Sequence, residues 1–411
     1  MSTNLVIESR ADWRWWVTPR YLRDKPVHRW CVFPHSFTSE LVHGLIDEWA
    51  LTSADMILDP FCGAGTTLLA AKEKGISATG YDLSPFAVFA TRVKLGHYSP
   101  DELADNWKEL RNSIDPSKWN GASREYPELI RKALPGHLLG AFDSVNNRIN
   151  KMDFSRSNRY FFKMALLSTM PKFSRAVATG GWLKWIDRRL TVKSLPDEYE
   201  KQVQSMIKDL LSSGNGKSNA TWKVGISDAR SLPDAQNTFS AIITSPPYPN
   251  RHDYTRVFGV ELMFGFLDWE QTRNLRYQSF ESHPESHPKR PDYSDYSEPK
   301  QLAQTLKRLE KSNVDERMPG MIKGYFIDIH LSLREVKRVC RSGARIAYVV
   351  GNAQYGGIPV VVDELIAEIG SKLGLKCEKI LAVRYRGNSA QQMSEYGRKP
   401  SRESIVILKK R

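Results

Sequence analysis

The sequence predicts an α/β fold carrying a mainly helical insertion, and three stretches support that prediction. Residues 56–82 run strand, glycine loop, helix, strand, acid. An apolar run from Phe239 to Ile243 ends abruptly in Thr244-Ser245-Pro246-Pro247-Tyr248. From residue 324 onward, helical and apolar strand patterns alternate again.

The elements follow in order. An aromatic and basic opening, Trp13 to Tyr21, leads to His28-Arg29-Trp30-Cys31-Val32-Phe33-Pro34-His35-Ser36-Phe37 and an amphipathic helix over residues 39–49. Taken alone, the aromatics are also what staples a helix start. Met56-Ile57-Leu58 reads as a short buried strand ending at Asp59. The loop over residues 61–66 follows, then a helix over 67–74, ended by Gly75 in the manner of a left-handed cap. Residues 76–81 form the next strand, closed by Asp82. Glycines let the backbone approach a ligand, and the helix start offers free N–H groups. Asp82 lies 19 residues after Gly63, where an acid at a strand end can bind ribose hydroxyls. A P-loop would need a lysine after Gly65, and a dinucleotide fingerprint a third glycine where Leu68 stands. Cys62 reads as a small packing residue and not as a nucleophile.

Residues 97–220 are helical and basic in composition. Within them Ser174 to Trp185, containing Arg175, Gly180, Gly181, Trp182 and Lys184 and followed by Arg188 and Arg189, suits contact with a nucleic-acid strand. A helix–loop–helix whose tryptophans are core is the alternative. Residues 211–220 read as a flexible linker. Trp222 to Ile226 is strand-like and precedes Asp228, which is either an acid at a strand's carboxyl end or a turn former. Ser-Pro-Pro-Tyr itself is open to two readings, a strand-ending turn or a rigid site. After it come Arg251, His252, Asp253, Tyr254 and Arg256, of which the two arginines can hold phosphates or simply face solvent. Residues 270–320 are polar, with His283 and His287 lacking any companion ligand pattern, and read as a mobile loop. A helix over 324–339, a strand over 344–350, a helix over 361–373 and a hairpin of 379–385 with 404–409 complete the chain, with a polar loop between the hairpin strands.

Composition sets outer bounds. The 411 residues suffice for one large α/β domain with insertions or for two domains, and 11 Trp, 16 Tyr and 16 Phe are ample for a core. A formal net charge of +14 biases the chain toward a polyanionic partner. Cys31, Cys62, Cys340 and Cys377 form no C-x-x-C pair, which suggests neither a zinc knuckle nor a disulfide framework and fits a reducing cytoplasm. No apolar signal core opens the chain and no apolar run approaches membrane-spanning length.

Asp59-Pro60-Phe61-Cys62-Gly63-Ala64-Gly65-Thr66-Thr67 and Thr244-Ser245-Pro246-Pro247-Tyr248 together resemble the cofactor and catalytic motifs of S-adenosylmethionine-dependent DNA amino-methyltransferases. The Ser-Pro-Pro-Tyr form resembles the N4-cytosine type within that family. The resemblance covers roughly residues 28–95 and 221–411. It implies a Rossmann-like methyltransferase fold with a seven-stranded, mostly parallel sheet. Residues 1–96 would hold the N-terminal segment and cofactor loop, 97–220 a helical insertion that contacts DNA, and 221–411 the rest of the core with the catalytic loop and the polar loop at 270–320. S-adenosylmethionine would be held by Phe33, Asp59, Phe61, Cys62, Gly63, Gly65, Thr66, Thr67, Asp82, Asp228 and Ser245. Ser245 and Pro246 would accept the two amine hydrogens of cytosine N4, Pro247 would stiffen the loop, and Tyr248 would stack on a base flipped out of double-stranded DNA. Arg251, Asp253, Tyr254, Arg256, Arg175 and Lys184 are the expected DNA contacts, and no metal is expected. A prokaryotic cytoplasmic setting, with the chain on the nucleoid through its DNA, and a restriction endonuclease as partner follow from the resemblance alone. Many N4-cytosine enzymes carry the two motifs in the reverse order, which leaves the sub-class and the recognition region open. N6-adenine methylation, RNA amine methylation and a catalytically idle DNA-binding subunit remain as alternatives.

Overall fold

The computed structural model describes residues 5–119, 121–179, 182–187, 191–212, 219–250, 252–387, 393, 397 and 400–411. The N-terminal segment forms a short strand, β1 (Ile7–Ser9), three single 3-10 turns and helix α1 (Ser39–Glu48). The strand–loop–helix–strand unit is β2 (Met56–Asp59), α2 (Thr66–Glu73) and β3 (Ser77–Asp82). Helix α3 (Pro85–Leu95) leads into α4 (Pro100–Ser113), α5 (Glu128–Ala133), α6 (His137–Lys151) and α7 (Arg156–Thr169). An antiparallel pair, β4 (Ala176–Thr179) and β5 (Trp182–Trp185), and then α8 (Leu195–Ser212), precede β6 (Trp222–Ile226) and β7 (Phe239–Thr244). Next come α9 (Tyr254–Val257), α10 (Gly259–Gly265), α11 (Trp269–Gln278), α12 (Lys300–Glu310) and α13 (Arg317–Val339). Strand β8 (Cys340–Gly351), the small pair β9 (Ala353–Tyr355) and β10 (Ile358–Val360), α14 (Val362–Lys372), β11 (Leu375–Arg386) and β12 (Ser401–Lys410) finish the chain. No helix among the described residues is long and apolar enough to cross a membrane.

One sheet runs in the order β1-β11-β12-β8-β7-β2-β3-β6. Every neighbouring pair is parallel except those made by β12, which is antiparallel to both β11 and β8. The sheet therefore has eight strands where seven were expected. The extra one is β1, whose Ile7–Ser9 pair in parallel with Ile380–Ala382 and close an edge that β11 would otherwise expose.

Strand β7 is buried along nearly its whole length, as a parallel strand covered on both faces must be. Successive side chains serve opposite cores. Ile57, Ala241, Ile243, Ala347 and Val349 join the cluster beneath α1–α3 and α6–α8, whereas Leu58, Ile242, Ile346, Tyr348 and Val350 join the cluster beneath α13 and α14. The helices between residues 97 and 220 therefore share a hydrophobic cluster with the cofactor-loop helices.

Three expectations need correction. Residues 176–185 form a β-pair and not a helix–loop–helix, because Ala176–Thr179 and Trp182–Trp185 satisfy each other's backbone groups. Residues 270–320 are not a mobile loop. They contain α11, α12 and the start of α13, and their loop is pinned by Arg290, which pairs with Glu281 and with Asp328 of α13 at 2.8 Å. Helix α13 begins at Arg317, before the expected start, since Pro319 sits near its first turn, where the missing N–H costs nothing. The expected linker has its centre, 213–218, outside the described residues, as does most of the polar loop at 388–399 together with Arg188 and Arg189.

One buried carboxylate ties the helical stretch to the N-terminal segment. Asp209 of α8 accepts from Val27 N at 3.2 Å, from Trp30 Nε1 at 2.9 Å and from the Arg29 guanidinium at 2.5 and 2.9 Å. Its side chain is 3% exposed. Removing it strands Val27 N and Trp30 Nε1 in a buried site. Asp209→Ala is expected to lower the unfolding free energy by about 3 kcal/mol, read as a lower urea midpoint at unchanged m-value.

Candidate active site

The glycine loop is built by close approach. Gly63 and Gly65 have φ of +49° and +80°. A Cβ on Gly65 would lie 2.6 Å from Thr91 Cγ2, so both the backbone angle and the space require glycine. Thr91 Oγ1 donates to Gly63 O at 2.9 Å, and the buried Lys94 ammonium donates to Ala64 O at 2.8 Å and to Cys31 O at 2.6 Å. The loop is thus locked to α3 and to the segment that carries Phe33. Helix α2 opens at Gly65 without a side-chain cap, which leaves its first N–H groups for a ligand.

Two acids close the loop. Asp82 accepts from Gly63 N at 3.0 Å and from Ser84 N at 2.8 Å. Asp59, 2% exposed, accepts from the Thr244 hydroxyl at 2.6 Å and from Phe61 N at 3.1 Å. Burial raises both carboxyls to about 6, against the bonds they accept. Thr67, fully buried, donates to Ile243 O at 3.2 Å, which makes it a tie between α2 and β7 and removes it from the ligand-facing set. Gly65 likewise turns toward Thr91, away from the cavity lining.

A cavity opens along the carboxyl ends of β2, β3, β6 and β7. Phe33, Asp59, Phe61, Cys62, Gly63, Thr66, Asp82, Asp228, Ser245 and Pro247 all line it. Phe33 stacks on Phe258 at 4.1 Å, and Phe61 meets Phe280 edge-on at 5.1 Å, which gives the cavity aromatic walls. Cys62 contributes backbone and a thiol that burial holds well above its ordinary range, so it is no nucleophile. Asp228 is partly committed. Its carboxylate takes the Arg230 guanidinium at 2.7 and 3.0 Å, and Arg230, nearly inaccessible, also donates to Asp328 and to Gln278 O.

In the catalytic loop, Ser245 Oγ donates to Val349 O at 3.0 Å, which turns the oxygen lone pairs elsewhere. Pro246 is buried behind it. Tyr248 is 6% exposed and does not line the cavity; its ring lies 3.2 Å from where a Cβ on Gly351 would stand. In this conformation the ring is packing, because β8 ends against it, and its face is not open for stacking.

A family model for DNA methylases of the N6/N4 type matches residues 12–91. The chain is 29% identical to the Type II methyltransferase M.BsoBI of Geobacillus stearothermophilus, over 99% of this chain and 90% of that protein. It is 28% identical to the Type II methyltransferase M.AvaI of a Nostoc species over 94% and 87% of the two chains, and 37% identical to M.MjaII of Methanocaldococcus jannaschii over 27% and 21%. The chain is thus similar to DNA methylases over residues 12–91 and to Type II methyltransferases over nearly its whole length.

The methyltransferase treats the expected DNA contacts unevenly. Arg251 lies outside the described residues. Asp253 is 5% exposed, caps α9 through Thr255 N and Arg256 N, and pairs with Arg276 at 2.7 Å, so it faces inward and not toward DNA. Arg256 pairs with Asp253 and Glu285, and a phosphate would have to displace Glu285. Tyr254 lines the cavity. Arg175 is half-buried at the foot of the β4–β5 pair, with its backbone N–H on Ala133 O. Lys184 is exposed, next to the 48% exposed Trp185, on a pair that packs against α9.

Sequence reasoning missed His35, Arg230 and Phe258. His35 stands in the sequence analysis only within an aromatic run, and Arg230 not at all. The Asp-x-Arg spacing was a usable signal for Arg230, since a side chain two residues on can fold back onto the carboxylate. Phe258 had no signal, because its partner Phe33 is remote in sequence.

The two raised carboxyls give the methyltransferase a pH dependence. With these acids holding the ribose hydroxyls and sulfonium, as the resemblance implies, binding would be strongest above about pH 7 and would weaken as pH falls through 6. S-adenosylmethionine affinity is expected to drop about fourfold per titrating acid between pH 7.5 and 5.5 in isothermal titration calorimetry. A constant affinity across that range would contradict the placement of Asp59 and Asp82 beside the ligand.

Proposed function

We propose that this methyltransferase transfers a methyl group from S-adenosylmethionine to N4 of cytosine in double-stranded DNA, as the modification enzyme of a restriction–modification system. The observation that carries the reading is that Ser245 and the glycine loop line one cavity. The residues present suit the cofactor: uncapped N–H groups at α2, acids at Asp82 and Asp228, and a slot walled by Phe33 and Phe61. In this reading Gly63 and Thr66 meet the polar end of the cofactor, Asp82 its ribose and Asp228 its base, while Gly65, Cys62 and Thr67 hold the loop in shape. When bound, the cofactor supplies an electrophilic methyl on a sulfonium.

The chain's own part is to make the amine nucleophilic. The nitrogen lone pair of a cytosine amine is delocalised into the ring. Ser245, having donated its proton to Val349 O, presents only lone pairs and accepts one amine hydrogen. The Pro246 carbonyl accepts the other. Both acceptors stand in place before the base arrives, because the two prolines fix φ. A bound cofactor would supply the methyl group to N4, and the hydrogen bonds at Ser245 and Pro246 would direct the amine lone pair toward it, the surplus amine proton being released to solvent. Serine at this position, with the resemblance it carries, supports cytosine over adenine. The relatives' Type II designation supports the restriction–modification setting, and the net charge of +14 together with Lys184 and Trp185 beside α9 supports a DNA substrate held on this face.

Digestion of methylated DNA to nucleosides and mass spectrometry tests the reading: N4-methylcytosine is expected, and N6-methyladenine would replace it with the adenine reaction. Ser245→Ala is expected to lower kcat roughly a hundredfold while the cofactor Kd stays within about twofold, measured by single-turnover kinetics and titration. Equal loss in both would remove Ser245 from the chemistry.

A further inference from the structure

One histidine of the cavity wall, His35, and a second beside it, His252, have no role in the chemistry above. The rings of His35 and His252 lie 4.1 Å apart at 35°. His35 also lies 6.5 Å from the ring of Tyr248 and meets Tyr254 edge-on at 6.4 Å. It lines the same cavity as Ser245. Nε2 of His35 and Nδ1 of His252 are both buried, and neither has a hydrogen-bond partner among the described residues. A buried polar nitrogen left unpaired costs free energy, and such a group at a cavity wall is explained by a ligand that completes it. Burial, and then the neighbouring His252 and Arg386, push His35 down to about 3. Burial and Arg386 lower His252 as well. Both rings are therefore neutral, each with one N–H donor and one acceptor.

The acceptors at Ser245 and Pro246 fit any exocyclic amine and cannot by themselves separate cytosine from adenine. What separates them is the group two ring positions from the amine-bearing carbon, a carbonyl oxygen in cytosine and a C–H in adenine. A donor facing that position rewards the first and leaves itself unpaired against the second. We propose that His35 is the residue that selects cytosine: its Nε2–H donates to O2 of the extruded base, and His252, tilted against its ring, is the positioning residue that holds it there. The proposal rests on the cytosine reading of the preceding section.

The test uses the full-length protein and duplexes carrying a site that it methylates. One duplex has the target cytosine. The other has at that position the C-nucleoside of 2-aminopyridine, which keeps the amine and ring nitrogen but lacks O2. Wild-type kcat/KM is expected to fall roughly 30-fold on the analogue. His35→Phe is expected to lose roughly 30-fold on cytosine and almost nothing further on the analogue, with cofactor Kd within about threefold of wild type. His35→Gln, which retains an N–H donor, is expected to recover part of the cytosine activity and to discriminate again. An unselective wild type, or a His35→Phe variant that loses the same factor on both duplexes, overturns the proposal. The wild-type comparison needs no variant, so misfolding cannot mask the answer. The nucleoside digest separates the two failures: N6-methyladenine in the wild-type product sinks the cytosine reading, whereas N4-methylcytosine with no O2 dependence sinks only the role of His35.

Discussion

The site depends on the pairing of β2 with β7. The two strands run parallel, with Ile57 opposite Ala241 and Leu58 opposite Ile242. The chain leaves β2 toward β3 on one side and reaches β7 on the other, so the crevice between their carboxyl ends is where a parallel sheet places its ligands. Two hydrogen bonds set the distance between the loops. Thr244 donates to Asp59 at 2.6 Å, and Thr67 donates to Ile243 O at 3.2 Å. The first joins the last residue of one strand to the last residue of the other. The second joins the cofactor helix to the catalytic strand. Both are buried, where such bonds are strong and their loss is expensive. A methyl transfer that relies on positioning needs this kind of weld, because an error of about 1 Å between donor and acceptor costs orders of magnitude in rate.

Much of this was legible in the sequence for a local reason. Glycines at positive φ, strand-ending acids and a Pro-Pro pair are signals a few residues long, and Gly63, Gly65, Gly75, Asp59 and Asp82 all occupy the backbone positions that such signals specify. Strand β1 was not legible, since three exposed residues at an edge show neither a buried run nor a strong alternation. The segment at 270–320 misled because its polarity was taken for solvation. Several of its polar side chains are in fact turned inward. Arg290 and Arg230 share the fully buried Asp328, and His283 and Ser286 are buried against Ser279. A charge that is neutralised by a partner far away in sequence looks, along the chain, the same as one dissolved in water.

That buried network also bears on the cofactor side of the cavity. Asp228 would be a free surface acid if Arg230 were absent. With Arg230 bonded to Asp228, Asp328 and Gln278 O, the carboxylate is fixed in direction but keeps lone pairs to offer, since it is 30% exposed. Removing one member of such a set leaves a buried charge uncompensated, so the arrangement is worth more as geometry than as net stability. The segment at 279–290 is thereby coupled to the cavity wall, where Ser279 and Phe280 complete the lining opposite Phe61.

The helical stretch between α3 and β6 acts through the same kind of relay. Asp209 of α8 and Ser168 of α7 hold Trp30 from the indole and carbonyl sides. Lys94 then holds Cys31 O and Ala64 O together. Two residues further along, Phe33 covers Gly63, and His35 reaches the cavity. The residues that shape the ligand slot therefore receive their position from helices that never touch it. The β4–β5 pair, emerging from those helices, rests on α9 directly after the catalytic loop. A chain that binds its duplex through exposed groups such as Lys184 and Trp185 would thus press on the element that Asp253 caps and Tyr254 opens, and the stretch that looks like an insertion in the sequence is, in three dimensions, a support for the walls of the site.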